Sequence, residues 1–316
     1  MASDLRPLFE PKGVVVTGVS AHPGKFGFVA LHNILACGYT GPVFAVGREK
    51  GTVLDRPVLA SVDAVPDGAA ELLVLCTPVA ANAEIVRSAA ARGVRAVFCA
   101  AGGYSEAGPD GAEAEDQLVA LADELGIVLA GPNGQGVVST PVGLCAQIVA
   151  PFPTAGRIAV VSQSGNFVSS FLNYANQTGV GISRAVSAGN AAAIGVADYL
   201  EWFADDPETE VALCYLEGLA DGRGFFERVR EVTRQMPVVV VKGGTTAGGQ
   251  RAAASHTGSL ANDDQIFDGM ARQAGLVRAA NIESAFEAAA TFATQPLPDG
   301  NRIVVLSTAG GWGVVT

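Results

Sequence analysis

Residues 251–260 read RAAASHTGSL, and His256 at their centre is one of only 3 histidines in 316 residues. Its neighbours are among the smallest side chains, so it does not lie on the apolar face of a core element. A metal site would need further His, Cys or carboxylate ligands at suitable spacing, and this loop supplies none. What is left is a lone imidazole, nucleophilic near neutral pH, on a small-residue loop. Glu217, in YLEG (215–218), ends a strongly apolar run. A carboxylate there either orients a histidine through a charge-assisted hydrogen bond or is a solvated strand-end glutamate.

Three further stretches have the composition of anion cradles. SQSGNF (162–167) follows a valine-rich run and puts Ser164, Gly165 and Asn166 where a helix would start. Free amides and the helix dipole favour an anion at such a place, although an ordinary serine cap reads the same way. VTGVSAHPGKFG (16–27) has the strand, glycine turn and helix start of a nucleotide-phosphate loop without the G-x-G-x-x-G spacing. The second strand then ends in AVGREK, where a dinucleotide site would carry an acid on the ribose. Arg48 and Lys50 suit instead a ligand with an extra phosphate, such as NADP or coenzyme A; a plain glycine turn is the competing reading. GPNGQGVV (131–138), which holds Asn133, is a second small-residue loop at a strand end and by itself fits a turn as well as a site. His22 lies within the first phosphate loop, and His32 falls on the helix that follows it.

The elements that must position these residues alternate regularly. GVVVTGV, PVFAVG, ELLVLCT and AVFCAA read as strands buried on both faces. Between them FGFVALHNILACG, AANAEIVRSAAARG and AEAEDQLVALADELG show helical spacing, each with a glycine near its end. The pattern implies an α/β fold: a Rossmann-like domain over 1–149, then a flavodoxin-like doubly wound domain over 150–296, both with parallel sheets. APFPTAG (150–156) reads as the linker. After QPLPDG (295–300) the stretch RIVVLSTAGG repeats the design of RIAVVSQSG, so residues 297–316 are expected to open a third α/β unit. One strand cannot bury itself, so a fragment, or a strand completed elsewhere, is the expectation.

Composition excludes some partners. The net charge is −11, which argues against a nucleic-acid backbone or an anionic membrane surface. Apolar residues make up 49% and charged residues 16%, enough to bury a sizeable core. The 5 cysteines are scattered, mostly in strand-like runs. They read as buried thiols of a reducing compartment rather than disulfides or a metal site, which places the chain in the cytoplasm. The N-terminus has no apolar signal core, and no run is long enough to span a bilayer.

Taken together, LFEPKGVVVTGVSAHPGKFG, GPNGQGVV, SQSGNF, DPETEVALCYLEG, AAASHTGSLA and STAGGWGVV resemble, in order, the NDP-forming acyl-CoA synthetases. That superfamily includes succinyl-CoA synthetase and ADP-forming acetyl-CoA synthetase. The likeness covers essentially the whole chain, with SHTGSL its most specific part. It implies a relay in which acyl-CoA and phosphate give an acyl phosphate and free CoA. A loop histidine then takes the phosphoryl group and carries it to ADP, with Mg2+, on an ATP-grasp domain. By match to the family, His256 is the phosphorylated residue and Glu217 the glutamate that holds it. Ser164, Gly165 and Asn166 form the phosphate-receiving helix start. Gly18, Ser20, Lys25, Phe26 and Gly27, with Arg48 and Asn133, contribute to the coenzyme A site. No metal ligand is assigned in this chain. The implied partners are an ATP-grasp domain or subunit, a small carboxylic acid or acyl-CoA substrate, and further copies in an oligomer.

Two departures from the family pattern stand out. Gly134 replaces the cysteine often found after GPN, and AAAIG (191–195) replaces a polar, acidic stretch, which is expected to reshape the acyl pocket. Two alternatives remain at this stage: a non-catalytic CoA-sensing module, and an NADP-dependent oxidoreductase. An intact histidine loop disfavours the first, and the missing G-x-G-x-x-G disfavours the second.

Overall fold

The computed structural model describes residues 4–149, 152–219, 221–245, 264–298, 300–302 and 304–315. The chain opens with the short helix α1 (Arg6–Phe9) and then builds a first sheet. Its elements are β1 (Val14–Val16), α2 (Phe26–Ala36), β2 (Val43–Val46), β3 (Thr52–Val53), β4 (Arg56–Leu59), β5 (Leu72–Leu75), α3 (Val79–Ala91), β6 (Ala96–Cys99), α4 (Pro109–Leu125) and β7 (Val128–Ala130). The strand order is β3-β4-β2-β1-β5-β6-β7. All neighbours pair parallel except β3 with β4, a short antiparallel edge. Helices cover both faces, so β1, β5 and β6 are buried along their whole length and read in sequence as unbroken apolar runs.

The second sheet contains β8 (Gly136–Ser139), β9 (Leu144–Gln147), β10 (Ala155–Ser162), β11 (Ile182–Ser187), β12 (Val211–Leu216), β13 (Val238–Lys242) and β14 (Val277–Ala279). Its helices are α5 (Gly165–Thr178), α6 (Val196–Asp205), α7 (Gly222–Val232), α8 (Asp264–Ala274) and α9 (Ile282–Thr294). The order is β14-β13-β12-β10-β11-β8-β9. The five strands from β14 to β11 run parallel, whereas β8 and β9 pair antiparallel. Gly126 ends α4 where the pattern placed it, and Gly179 ends α5; they adopt φ of 65° and 74°, the left-handed geometry of a C-cap.

The structure differs from the sequence reading at three places. β8 and β9 lie within the expected first domain of 1–149, yet they hydrogen-bond into the second sheet through β11. The edge of β11 needed a partner, and the chain leaving β7 supplies it before the linker. The β3–β4 hairpin was not legible, being only a few residues long. Near the end of the chain, residues 304–307 form no strand among the described residues, and Val304 and Leu306 are 93% and 97% exposed. The only regular element described there is helix α10 (Gly310–Val315).

The two sheets share one apolar core that includes Phe9, Ile34, Val137, Val186, Tyr199 and Phe203. Phe9 stacks on Trp202 with ring centroids 4.8 Å apart. Next to this contact sits Arg184, fully buried on β11. It makes a bidentate pair with buried Asp206, at 2.9 and 3.1 Å, and it also donates to Glu10 beyond α1 and to Ser139 on β8. Burial raises the Asp206 pKa, but Arg184 outweighs this and holds the carboxyl below its usual range. A buried charge is tolerated when it is paired and fully hydrogen-bonded. Here the pairing also pins α1 of the first unit to the second sheet.

Candidate functional site

In each sheet the parallel strands point the same way, so their C-terminal ends, and the loops that follow, line one edge. On the first sheet these loops follow β1, β2, β5, β6 and β7. The turn after β1 is tightly built. Gly18 has φ of +70°, and a Cβ there would meet the Cys76 carbonyl oxygen at 2.3 Å. A Cβ on Gly27 would stand 2.4 Å from the Gly18 carbonyl oxygen. Both glycines are therefore required for α2 to start against the strand end. Ser20 Oγ accepts from the His22 amide at 3.2 Å, and His22 Nδ1 accepts from the Gly24 amide at 3.0 Å. Lys25 caps α2 in extended geometry. The side chains of Lys25, Arg48 and Lys50 are exposed beside this turn, as is Phe26 at 50%. The donor set is cationic and amide-rich, as a phosphate-bearing ligand requires.

One contact there was not anticipated. Glu49, between the two basic residues, accepts the Ala21 amide through Oε2 at 2.8 Å. The carboxylate already occupies one loop donor and adds negative charge beside the cradle.

The loop 131–135 joins the two units. Asn133 sits at φ of +60° and donates its amide to the Ala101 carbonyl at 3.0 Å. Its side chain donates to Asn190 Oδ1 at 3.2 Å. Asn190, after β11, donates in turn to Glu106 Oε2 at 2.6 Å and Glu115 Oε2 at 2.7 Å. Burial alone would raise the Glu106 pKa; the bonds from Asn190 and from main-chain amides prevail and hold it low. Gln135 reaches the second sheet, with Nε2 donating to Asn166 Oδ1 at 3.4 Å and Oε1 accepting from Ser169 at 3.2 Å. Gly134 is confined: a Cβ would lie 2.5 Å from the Ser187 carbonyl oxygen and 2.7 Å from Phe98 Cζ.

On the second sheet, Ser164 occupies the N-cap position of α5 and Gly165 begins the helix. The Ser162 hydroxyl accepts from the Ser164 amide at 3.0 Å and donates to the Ser164 carbonyl at 2.6 Å, which fixes the turn. A Cβ on Gly165 would stand 2.3 Å from Gln135 Cδ. The first intrahelical donor is the Val168 amide, on the Ser164 carbonyl, so the amides of Gly165, Asn166 and Phe167 head the helix with its positive dipole end. Glu217 follows β12 directly. In the parallel register of β10 and β12, Ser162 stands opposite Tyr215, which sets Gln163 beside Glu217. Gln163 Oε1 accepts from the Glu217 amide at 2.6 Å and the Gly218 amide at 3.2 Å.

Thus Ser164, Gly165, Asn166 and Glu217 lie at the C-terminal ends of neighbouring strands, and Asn133 lies on the loop whose Gln135 touches α5. Gly18 and Gly27 meet in a separate turn, with Ser20, Lys25, Phe26 and Arg48 around it. His256 lies outside the described residues. Sequence reading missed Gln163, Lys242, Gln135 and Asn190. Lys242 carried a usable signal, a charge at the end of the four-valine strand β13. It is 5% exposed, and burial pushes its pKa down. Cys76, Cys99 and Cys214 have thiols raised by burial to about 12, 11 and 12. All five cysteines are free. Among the described residues no helix is long and apolar enough to cross a membrane.

Two family profiles match the chain: a CoA binding domain over residues 12–140 and a succinyl-CoA ligase like flavodoxin domain over 155–292. The alpha subunit of acetate–CoA ligase [ADP-forming] I from Pyrococcus furiosus is 36% identical over 98% of this chain and 68% of its own length. Acetate–CoA ligase [ADP-forming] I from Archaeoglobus fulgidus is 35% identical over 98% of this chain. This chain spans 44% of that relative, under half of it. Among solved structures, dinucleotide forming acetyl-coenzyme A synthetase 1 of Ca. Korarchaeum cryptofilum, in complex with phosphate and ADP, superposes with a TM-score of 0.91 at 34% identity. That match covers 98% of this chain and 67% of the other.

Proposed function

The chain belongs to the NDP-forming acyl-CoA synthetase family, and from that membership we propose that it is the CoA-binding, phosphoryl-relaying part of an ADP-forming acid–CoA ligase. Its substrates in one direction are an acyl-CoA and phosphate. The CoA phosphates lie at the turn after β1, held by the amides around Gly18 and Gly27 and by Lys25 and Arg48. A phosphate oxygen attacks the thioester carbonyl; the C–S bond breaks and CoA leaves with its sulfur protonated. The acyl phosphate then presents its phosphorus at the head of α5, where the amides of Gly165 and Asn166 favour the anion. The imidazole of His256 attacks, the bond to the acyl oxygen breaks, and the carboxylic acid departs as its anion. Glu217 orients the imidazole and holds its N–H, keeping the far nitrogen nucleophilic. His256 finally delivers the phosphoryl group to ADP on an ATP-grasp domain or subunit, which also supplies the Mg2+. The protein works in the cytoplasm.

The observation that supports this reading best is the placing of Glu217 beside the start of α5 through Gln163. The match of residues 12–140 to a CoA binding domain favours coenzyme A over NADP. The test is a turnover assay on the full chain with its ATP-grasp part. Sustained release of free thiol from acetyl-CoA should need phosphate, ADP and Mg2+ together, with phosphate alone giving no more than a stoichiometric burst. Thiol release that does not depend on phosphate would refute the relay.

A further inference from the structure

Glu217 and Gly218 lie past the end of β12, where the sheet ladder no longer serves their main chain. All four of their backbone polar groups nevertheless have partners, and the partners come from two side chains. Gln163 Oε1 accepts both amides, from Glu217 at 2.6 Å and from Gly218 at 3.2 Å. Gln163 Nε2 donates to the Gly218 carbonyl at 3.1 Å. Lys242 Nζ donates to the Glu217 carbonyl at 2.8 Å and to that of Gly243 at 2.5 Å. The Gly243 amide closes the pattern on the Leu216 carbonyl at 2.8 Å.

Gln163 mimics a neighbouring strand, giving one acceptor and one donor to a dipeptide that has left the sheet. It is also the residue immediately before Ser164, so whatever fixes the start of α5 fixes Gln163. Lys242 is nearly buried, and desolvating an ammonium is costly unless its protons are used. Two of its three N–H donors go to carbonyls at this one place. A lysine kept inside against that cost is better explained by the geometry it imposes than by stability.

We infer that Gln163, with Lys242 bracing from the opposite strand, is a positioning residue that sets Glu217 in fixed relation to the phosphate-receiving end of α5. This rests on the reading of Glu217 and α5 given above. It makes the spacing of carboxylate and helix amides a property of one glutamine side chain. The clamp belongs to the station where the phosphoryl group leaves the acyl phosphate, not to the station where ADP accepts it. Displacing a reacting group by about 1 Å can cost about 10²-fold in rate.

The experiment uses the full chain with its ATP-grasp part and follows the two half-reactions separately. In one, acetyl-CoA and radiolabelled phosphate label the chain; in the other, γ-labelled ATP does. Gln163→Leu removes all three hydrogen bonds; Gln163→Glu keeps the acceptor oxygen and loses the donor. For Gln163→Leu the rate of labelling from acetyl-CoA and phosphate should fall by about 10²-fold. Labelling from ATP should stay within about 2-fold of the parent, and Gln163→Glu should lie in between. In a Glu217→Gln background, Gln163→Leu should cost almost nothing more, because residues acting through one another are not additive. Equal loss in both half-reactions, or full additivity with Glu217→Gln, would overturn the positioning role. A parent chain that takes label from neither source would instead refute the relay itself, so the two failures are distinguishable.

Discussion

The Glu217 amide lies 2.6 Å from the side-chain oxygen of Gln163, and the residue after Gln163 caps α5. A carboxylate and a helix N-terminus are thereby held on adjacent strands by one intervening side chain. The two suit different parts of one event. Amides at the helix head favour an arriving dianion, and a carboxylate favours the imidazolium character that builds as a neutral imidazole attacks phosphorus.

Arg184 is the tie between α1 and the second sheet, and its loss should be expensive. Arg184→Met leaves Asp206 as a buried carboxylate with its main partner gone, which costs about 3–5 kcal/mol. Because the folded-state pKa of Asp206 is depressed, its stabilising contribution is present above the unfolded value of about 3.9 and is lost as pH falls through the lower folded value. Urea denaturation of the parent and of Asp206→Asn at pH 7 and pH 3 checks this: the gap between them should narrow at the lower pH.

Gly134 has no room for a side chain, and placing a cysteine there, as the family resemblance would suggest, should not be benign. A Cβ would meet the Ser187 carbonyl oxygen at 2.5 Å and Phe98 at 2.7 Å. Either the loop 131–135 or the end of β11 must shift. Gly134→Cys should lose about 1–3 kcal/mol of stability, as overpacking does, read as a lower urea midpoint with an unchanged slope.

Glu49 sits against the Ala21 amide at 2.8 Å, inside the turn proposed above to hold the CoA phosphates. Removing its charge should help an anionic ligand. Glu49→Gln should tighten CoA binding by about 3-fold at low ionic strength, and the gain should fade towards 1 M salt, where the screening length is about 3 Å. Calorimetric titration with CoA at two salt concentrations measures it.

The thiols should react in a definite order. Burial holds Cys99, Cys76 and Cys214 well above neutral pH, and the thiolate is the reactive form. Cys37, half-buried at the end of α2, has its pKa lowered by hydrogen bonding with Cys145. Iodoacetamide at pH 7.5 should therefore alkylate Cys37 first, with Cys99 and Cys214 modified only after denaturation, as peptide mass spectra would register.

Much of this fold is legible in the sequence because both sheets are buried on two faces. Runs such as VVVV before Lys242 and LLVL in β5 have no polar alternation to confuse them, and α4 and α5 end on glycines that must adopt positive φ. The hairpin β8–β9 was not legible, because the same GVVS that reads as loop after GPNGQ becomes a strand only once β11 offers an edge. Single motifs located Ser164, Gly165 and Glu217 at strand ends. The residues that connect them were invisible for a different reason. Gln163, Gln135 and Asn190 act through hydrogen bonds between segments distant in sequence, and a glutamine or asparagine carries no local pattern that announces such a partner. Lys242 was the exception, since a lysine closing a four-valine strand is chemically out of place.

The most direct measurement of the central claim is the site of phosphorylation. The full chain, incubated with acetyl-CoA and radiolabelled phosphate and then mapped by peptide mass spectrometry, should carry one acid-labile phosphoryl group on His256, and His256→Asn should carry none. Label retained by His256→Asn, or found on a different residue in the parent, would contradict the account.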